Sequence, residues 1–465
     1  MLSFFRINDP FRVIGVFLIM LMIRLPMILS GTSLTLPELN WMLLGEQLGW
    51  SVSMYSDVWD NTGPLTAAVY WLVDSLFGKS QLAYQSIAML IGISQAFTFN
   101  RFLVRARVFN ENTYIPAFLY MLFISISFDF WTLSPVLLSM SFLLLVLRNL
   151  FLLDEETLSQ EIFKTGLYLA IATLFYAPSF LFLFLTLVVF AMYRTSSARF
   201  LLMVVYGFLF VFIIFFTFLF YRGAVNDFVE QYIISYFTIR VVYISWQDMI
   251  ALTLLPAAIM LFGAFKTFTE RGFVNFQVNC QQVMVLWIIT CAVSLLLNPV
   301  VAPFQLIVFA PAFAFFLTHY FLLIKKRLVA EIQFILLPVL LIFFCYNNIQ
   351  NIIPDLDFVS YARLTTQKVE GFDEGKKVLV LGNNTSYYLN NTSTSPYLNW
   401  KLSLKHFDQM NRYSILLSIF DHLEAEPPEV IVDEANVAEE LFDKMPLLAK
   451  KYKQAEGTNY YYRVN

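Results

Sequence analysis

The chain has 465 residues, of which 59% are hydrophobic, 18% are aromatic and only 14% are charged. Soluble domains carry about a quarter charged residues, so this composition excludes an ordinary soluble protein and indicates a membrane protein. The net charge of −3 and the lack of a long basic run argue against a nucleic-acid partner.

Apolar runs of membrane-spanning length follow one another from residue 13 to residue 346. A helix needs about 20 apolar residues to cross a bilayer, and about 17 suffice. Arg6 and Arg12 precede the first run, which lacks a clean cleavage site and therefore predicts a retained helix. We predict eleven spans, of which the fifth and sixth form a hinged pair: Val13–Leu29, Gln81–Phe99, Tyr114–Asp129, Leu133–Leu152, Leu167–Tyr176, Phe180–Met192, Phe200–Phe220, Met249–Phe265, Val283–Leu297, Phe304–Ile324 and Val329–Tyr346.

Basic residues are concentrated in alternate connections between these spans. The other connections carry only Lys79, Arg222 and Arg240. The positive-inside rule therefore places the N-terminus in the cytoplasm, and an odd number of spans places the C-terminus outside. The basic connections carry Arg101, Arg105, Arg107, Lys164, Arg194, Arg199, Lys266, Arg271, Lys325, Lys326 and Arg327.

Two connections on the predicted outer side are long. The first loop, residues 30–80, contains the apolar segment Pro64–Phe77, which is too short to span comfortably and predicts an interfacial helix with Tyr70 and Trp71 at headgroup level. We expect two interfacial helices in this loop. The second connection, Tyr221–Asp248, is amphipathic and rich in Tyr. The first loop carries the acids Glu38, Glu46, Asp57, Asp60 and Asp74.

Composition changes abruptly after residue 346, and charged residues become frequent. The runs at 377–382, 427–433 and 460–464 predict strands, and the spacing over 413–423 and 438–448 predicts helices. This order indicates a small α/β domain. We therefore divide the chain into a membrane domain over 1–346 and a soluble domain over 347–465.

Residue chemistry alone gives two candidate site residues. Glu38 follows the first span, where a partly desolvated carboxylate is suited to act as a general base; the alternative is an acid that stabilises a helix N-terminus after Pro37. Arg24 lies inside the first span and suits a bound phosphate; the alternative is snorkelling to the surface. No metal-ligand spacing occurs, because His319, His406 and His422 are isolated in sequence.

The first-loop sequence resembles that of the GT-C superfamily of membrane glycosyltransferases, in particular bacterial protein O-mannosyltransferase and aminoarabinose transferase-like enzymes. The resemblance rests on Pro37-Glu38-Leu39-Asn40-Trp41, Tyr55-Ser56-Asp57, Thr62-Gly63-Pro64-Leu65 and Phe77-Gly78-Lys79-Ser80, together with Pro427-Pro428-Glu429-Val430-Ile431-Val432 near the end. Three positions depart from the family pattern. Pro37 replaces an acid, Thr62 replaces a Lys, and the stretch Ala302-Pro303-Phe304-Gln305 carries no charge where the family has a basic or His-Tyr pair after a proline.

This resemblance implies a GT-C-like fold and an inverting transfer of sugar from a polyprenyl-phosphate carrier to an acceptor on the outer face of the inner membrane. Glu38, or else Asp57, would be the base. Apart from the lipid-linked sugar donor, which is a substrate, no cofactor or metal is implied. The substrate-binding residues would be Arg24, Trp41, Tyr55, Asp60, Arg222 and Arg240.

The three departures also suit a different class of protein. A non-catalytic subunit with the same fold, serving an envelope assembly such as secretion or motility machinery, would keep the scaffold sequence and lose the chemical groups. A transporter is a third alternative, but the halves of the chain show no repeat. The lipid bilayer is a partner under every alternative.

Overall fold

A computed structural model describes residues 1–464 except 32, 50–51, 53, 153–157, 194–197, 271, 351–358, 360, 362–363 and 395. Arg194 and Arg271, two of the basic residues that orient the predicted spans, lie outside the described residues. The described helices are α1 Leu2–Phe5, α2 Arg12–Ser30, α3 Leu36–Gln47, α4 Pro64–Phe77, α5 Gln81–Arg105, α6 Ile115–Phe123, α7 Pro135–Phe151, α8 Leu158–Phe175, α9 Leu181–Tyr193, α10 Ala198–Arg222, α11 Val225–Phe228, α12 Ser235–Thr238, α13 Trp246–Thr269, α14 Asn275–Leu297, α15 Ala310–Leu323, α16 Arg327–Gln350, α17 Trp400–Phe407, α18 Tyr413–Ala425, α19 Ala438–Lys444 and α20 Pro446–Ala449.

The described strands are β1 Val241–Val242, β2 Val300–Val301, β3 Lys377–Leu381, β4 Thr392–Ser393, β5 Val430–Asp433, β6 Tyr452–Gln454 and β7 Tyr460–Arg463. Tight helical turns occupy Phe128–Trp131, Ala177–Phe180, Pro303–Phe309 and Thr385–Tyr388, and a π-helical turn occupies Val229–Ile234.

The prediction of a polytopic helical membrane protein is confirmed. Among the described residues, seven helices are long and apolar enough to cross a membrane. Each of the eleven predicted spans overlaps a helix, although α6 has only nine residues where Tyr114–Asp129 was expected. The hinged pair is also present, and its first helix, α8, has 18 residues rather than the short half expected. The hinge is fixed by a hydrogen bond between the hydroxyls of Ser179 and Ser139 on α7, 2.7 Å apart.

The chain folds into two compact units. Unit 1 comprises residues 1–32, 81–215 and 242–363, and unit 2 comprises residues 33–80, 216–241 and 364–465. Most of the two long predicted outer connections, residues 33–80 and 221–241, therefore belongs to the same unit as the C-terminal segment. The sequence-based boundary at residue 346 stays a prediction.

Two glycines in unit 1 allow α8 and α10 to approach closely. A Cβ atom at Gly166 would lie 2.1 Å from the Val204 carbonyl oxygen, and one at Gly207 would lie 2.3 Å from that of Phe163. Small residues commonly permit such backbone contact between membrane helices. Because backbone cannot rotate away as a side chain can, any side chain at either position forces the helices apart.

We expect Gly166→Ala to destabilise the protein by about 1–3 kcal/mol, the usual cost of overpacking. The matched control is Gly49→Ala, since a Cβ there meets its nearest neighbour at 3.9 Å. Thermal unfolding midpoints of the two variants in the same detergent provide the measurement. Equal midpoints would contradict the close helix contact.

The C-terminal part of unit 2 is the expected small α/β fold. Its five-stranded sheet has the order β4-β3-β5-β7-β6, with β3 parallel to β4 and β5, and β7 antiparallel to β5 and β6. The predicted strands correspond to β3, β5 and β7. The carboxylate of Asp433, at the end of β5, accepts hydrogen bonds from the amides of Val437 and Ala438 and so starts the next helix.

The predicted helix over 438–448 is broken into α19 and α20. Pro446 begins the second helix, and a proline at that position cannot continue the hydrogen-bond ladder of the first. The apolar core under the sheet includes Leu379, Ile431 and Trp400, and Trp59 of the first loop belongs to the same core.

Candidate functional site

Glu38 lies in the first turn of α3 and is only 1% exposed. Thr35 caps this helix, since its hydroxyl accepts a hydrogen bond from the Glu38 amide at 3.3 Å. The chain entering the helix is also fixed from a distance, because the Leu36 amide donates to the Leu364 carbonyl at 2.7 Å. Glu38 is therefore a carboxylate shielded from solvent at the positively polarised end of a helix. The backbone there is fixed by the bonds of Thr35 and Leu36.

The first loop contains the two expected helices, α3 and α4, which pack against each other. Trp41 stacks on Tyr70, with ring centroids 5.8 Å apart, and both rings are buried. A Cβ at Gly45 would come within 2.7 Å of the Tyr70 carbonyl oxygen, so glycine is needed for this close contact. Tyr70 packs inside the helix pair instead of facing headgroups, whereas Leu72, Leu76 and Phe77 are exposed on α4 and suit an interfacial position.

Tyr55 and Asp60 form a buried turn between the two helices. Tyr55 adopts a left-handed backbone conformation with φ of 75°, and its hydroxyl donates to the Thr62 carbonyl at 2.9 Å. Asp60 accepts from the Thr62 amide at 2.7 Å, and burial raises the pKa of this carboxyl despite opposing hydrogen bonds from Thr62 and Asn399. Tyr55 and Asp60 thus stabilise this turn, and their role in binding substrate stays a prediction.

The other predicted residues of unit 2 are exposed. Asp57 lies at the surface in the same turn, so Glu38 is sheltered from solvent and Asp57 is not. Arg222 ends α10, and Arg240 lies just before β1 with its carbonyl accepting a hydrogen bond from Lys401. That Glu38 and Asp57 share one cavity stays a prediction.

Arg24 is buried in unit 1, with 2% exposure. Its guanidinium lies 5.3 Å from the ring centre of Trp131, and its Nε and Nη1 atoms have no hydrogen-bond partner among the described residues. Of the two sequence-based alternatives, burial favours a group that faces the protein interior over one that snorkels to the surface. A buried cation with open donors is costly unless an anion joins it.

Asp129 was not among the sequence-based candidates, yet it lies in the same turn as Trp131. The residue is fully buried, and its Oδ2 accepts from the Phe304 amide at 2.7 Å while Oδ1 has no partner in the described part of the chain. Nearby, the hydroxyls of Ser127 and Tyr361 are 3.0 Å apart. Unit 1 therefore contains a cluster of buried polar and aromatic side chains around this turn. Its members are Arg24, Ser127, Asp129, Trp131 and Tyr361.

His406 and His422, isolated in sequence, are brought to the same tryptophan in unit 2. The ring centre of His406 lies 4.2 Å from that of Trp59, and His422 Nδ1 lies 2.9 Å from the Tyr397 hydroxyl. Burial lowers the pKa of both imidazoles below 6.5. Glu230 opposes the shift at His406, and Asp421 and Asp57 oppose it at His422.

This histidine pair predicts acid sensitivity of unit 2. Because the folded-state pKa values are lowered, the neutral imidazoles favour the folded state; this contribution is complete above the unfolded value of about 6.5 and is lost as the pH falls through the folded values. We expect the thermal unfolding midpoint to decrease as the pH is lowered from about 8 to about 5. The decrease should be smaller in the variant His406→Gln/His422→Gln. Parallel curves for the two proteins would disprove the assignment.

No family model and no curated protein matches the chain. Among solved structures, the chain is similar to the crystal structure of the Archaeoglobus fulgidus oligosaccharyltransferase complex with Zn and sulfate. The TM-score is 0.46 and the identity 11%, and the alignment covers 95% of this chain and 71% of that chain. The roles of the site residues therefore rest on the geometry of this chain.

Proposed function

We propose that this chain is a membrane glycosyltransferase-like protein that transfers a sugar from a polyprenyl-phosphate carrier to an acceptor on the outer face of the inner membrane. The observation that carries the proposal is the position of Glu38. A carboxylate with 1% exposure, at a helix N-terminus of the first loop, is the residue to which the resemblance assigns the general base.

The proposed reaction is a single inverting displacement. The acceptor hydroxyl gives its proton to Glu38 while its oxygen bonds to the anomeric carbon, and the bond from that carbon to the phosphate oxygen breaks. The electron pair leaves with the polyprenyl phosphate. Positive charge offsets the growing charge on this phosphate, a role for which the resemblance offers Arg24, Arg222 or Arg240. Of these three, Arg24 has buried donors, Nε and Nη1, without hydrogen-bond partners in the described residues.

Charge placement supports an orientation with the N-terminus in the cytoplasm of a bacterial cell. The same orientation places the first loop and the C-terminal domain in the periplasm, where a polyprenyl-linked sugar and its acceptor would meet.

A non-catalytic subunit of an envelope assembly is the second candidate, and a specific observation favours it. Gln305 lies in the stretch where the family has a basic or His-Tyr pair. It is buried and uncharged, and its side-chain amide donates to the Val300 carbonyl. Thr62, in place of the expected Lys, contributes its carbonyl and amide to the turn of Tyr55 and Asp60.

The experiment that separates the two candidates compares envelope glycans and glycoproteins of a wild-type strain, a deletion strain and the complemented deletion strain. The proposal expects one glycan to disappear on deletion and to return on complementation. If no glycan changes, the chain is a scaffold, and proteins that copurify with it in mild detergent become the next target.

A further inference from the structure

A cavity in unit 1 is lined by three arginines that the proposed transfer does not use. It measures about 280 Å³ and lies between α5 and α7. Arg101 and Arg105 come from the last turns of α5 and Arg148 from the last turn of α7. We call it the arginine cavity; its remaining lining residues are Phe97, Thr98, Phe102, Leu145 and Leu152.

The charge in the arginine cavity is not balanced by its own lining. Arg101 and Arg105 are four residues apart on one helix face, where like charges repel, and Arg148 converges on them from the neighbouring helix. Within the described residues none of the three forms an ion pair; Glu161, a nearby acid on α8, pairs with Lys164 instead. A helix C-terminus favours Arg105 and Arg148, which lie in the last turns of α5 and α7, but that effect does not account for Arg101 or for the meeting of all three in one cavity.

The rest of the lining suits the part of a lipid next to its headgroup. Phe97, Phe102, Leu145 and Leu152 provide an apolar wall, and Thr98 adds a hydroxyl. Arg148 lies within the predicted span Leu133–Leu152, about one turn from its end, while Arg101 and Arg105 lie just beyond the predicted span Gln81–Phe99. The cavity therefore lies at the depth where acyl chains give way to phosphates.

We propose that the arginine cavity binds the phosphate of an anionic phospholipid in the cytoplasmic leaflet. Guanidinium groups match phosphate oxygens with paired hydrogen bonds, and basic pockets between membrane helices on this side suit anionic headgroups. The inference does not depend on the proposed transfer reaction, because the site lies at the opposite ends of the predicted spans from the first loop.

The sequence supplies one competing source of negative charge. Asp154, Glu155 and Glu156 follow Leu152 closely in the chain and lie outside the described residues. If these acids neutralise the arginines, an anionic lipid is not needed. The variant Asp154→Asn/Glu155→Gln/Glu156→Gln separates the two sources. Anionic-lipid binding equal to that of the wild type supports the lipid, whereas binding that appears only in the variant shows that the acids neutralise the arginines in the wild type.

The test uses the full chain, purified in detergent, with native mass spectrometry to count bound lipid. The probes are phosphatidylglycerol, cardiolipin and, as the zwitterionic control, phosphatidylcholine. We expect Arg101→Gln/Arg105→Gln/Arg148→Gln to weaken binding of an anionic lipid by about tenfold or more. The matched control, Arg199→Gln/Lys325→Gln/Lys326→Gln, removes three exposed basic residues outside the cavity and should keep wild-type binding.

Several outcomes would overturn the proposal. If the arginine variant and the control variant lose anionic-lipid binding equally, the lipid is held by general surface attraction. If the wild-type protein binds phosphatidylcholine as well as the anionic lipids, charge plays no part. Displacement of the lipid by inorganic phosphate at equal concentration would assign the cavity to a free anion. If the triple variant does not fold, Arg148→Gln alone should still weaken anionic-lipid binding, and unchanged binding in it would reject the site.

Discussion

Replacing Glu38 with Gln is expected to reduce sugar transfer by about 100- to 10,000-fold, the usual contribution of a general base. Glutamine has nearly the same shape and can keep hydrogen bonds, but it cannot accept the proton of the acceptor hydroxyl. Because glutamine matches glutamate in size and the α3 cap is made by the Thr35 hydroxyl with the Glu38 amide, we expect the variant to keep its fold. The measurement is transfer of labelled sugar from a polyprenyl-phosphate donor in membranes, at matched protein levels.

The matched control for this prediction is Glu424→Gln in α18. Glu424 is exposed and pairs with Lys451 at 2.7 Å, and such surface pairs contribute little to stability. It should keep full activity and a wild-type unfolding midpoint. If Glu38→Gln also restores the glycan of a deletion strain, Glu38 is not the base and the non-catalytic candidate is favoured.

Replacing Arg24 with Met is expected to weaken use of the donor while leaving stability unchanged or increased. A buried cation whose Nε and Nη1 find no partner among the described residues retains a desolvation cost, which an apolar side chain of similar length removes. If Arg24 holds the carrier phosphate, its charged hydrogen bonds contribute about 1.5–3 kcal/mol, so the KM for the donor should rise about ten- to hundredfold.

Two measurements on Arg24 variants are needed, because the residue also contacts Trp131. A lower unfolding midpoint in Arg24→Met with an unchanged KM would assign Arg24 to packing against that ring. Arg24→Lys is the informative companion, since lysine keeps the charge but cannot make paired hydrogen bonds to phosphate. We expect Arg24→Lys to show an intermediate KM.

The secondary structure was predictable where a single property of the sequence determines it. Each continuous apolar run predicted as a span overlaps a helix, and β-branched runs located β3, β5 and β7. The strands β4 and β6 were missed because they have only two and three residues, too few for a period to appear. β6 pairs with β7 across a short connection, and β4 pairs with β3 after the turn Thr385–Tyr388.

The site was predictable only where local sequence carries the signal. Glu38 could be placed at a helix start because Pro37 precedes it. Asp129 was missed because its hydrogen-bond donor, the Phe304 amide, is far away in the chain. The histidine pair was missed for the same reason, since Trp59 and His406 meet only through the fold of unit 2.

The composition of unit 2 from three separate stretches has a consequence for biosynthesis. The amide of Leu36 bonds to a carbonyl about 330 residues further along, and Trp59 packs into a core that includes Trp400. At typical elongation rates the first loop therefore waits on the order of tens of seconds for its partners to leave the ribosome. During that interval its apolar surface must be covered by the membrane or by a chaperone, so stop codons late in the gene should destabilise the beginning of the protein as well as its end.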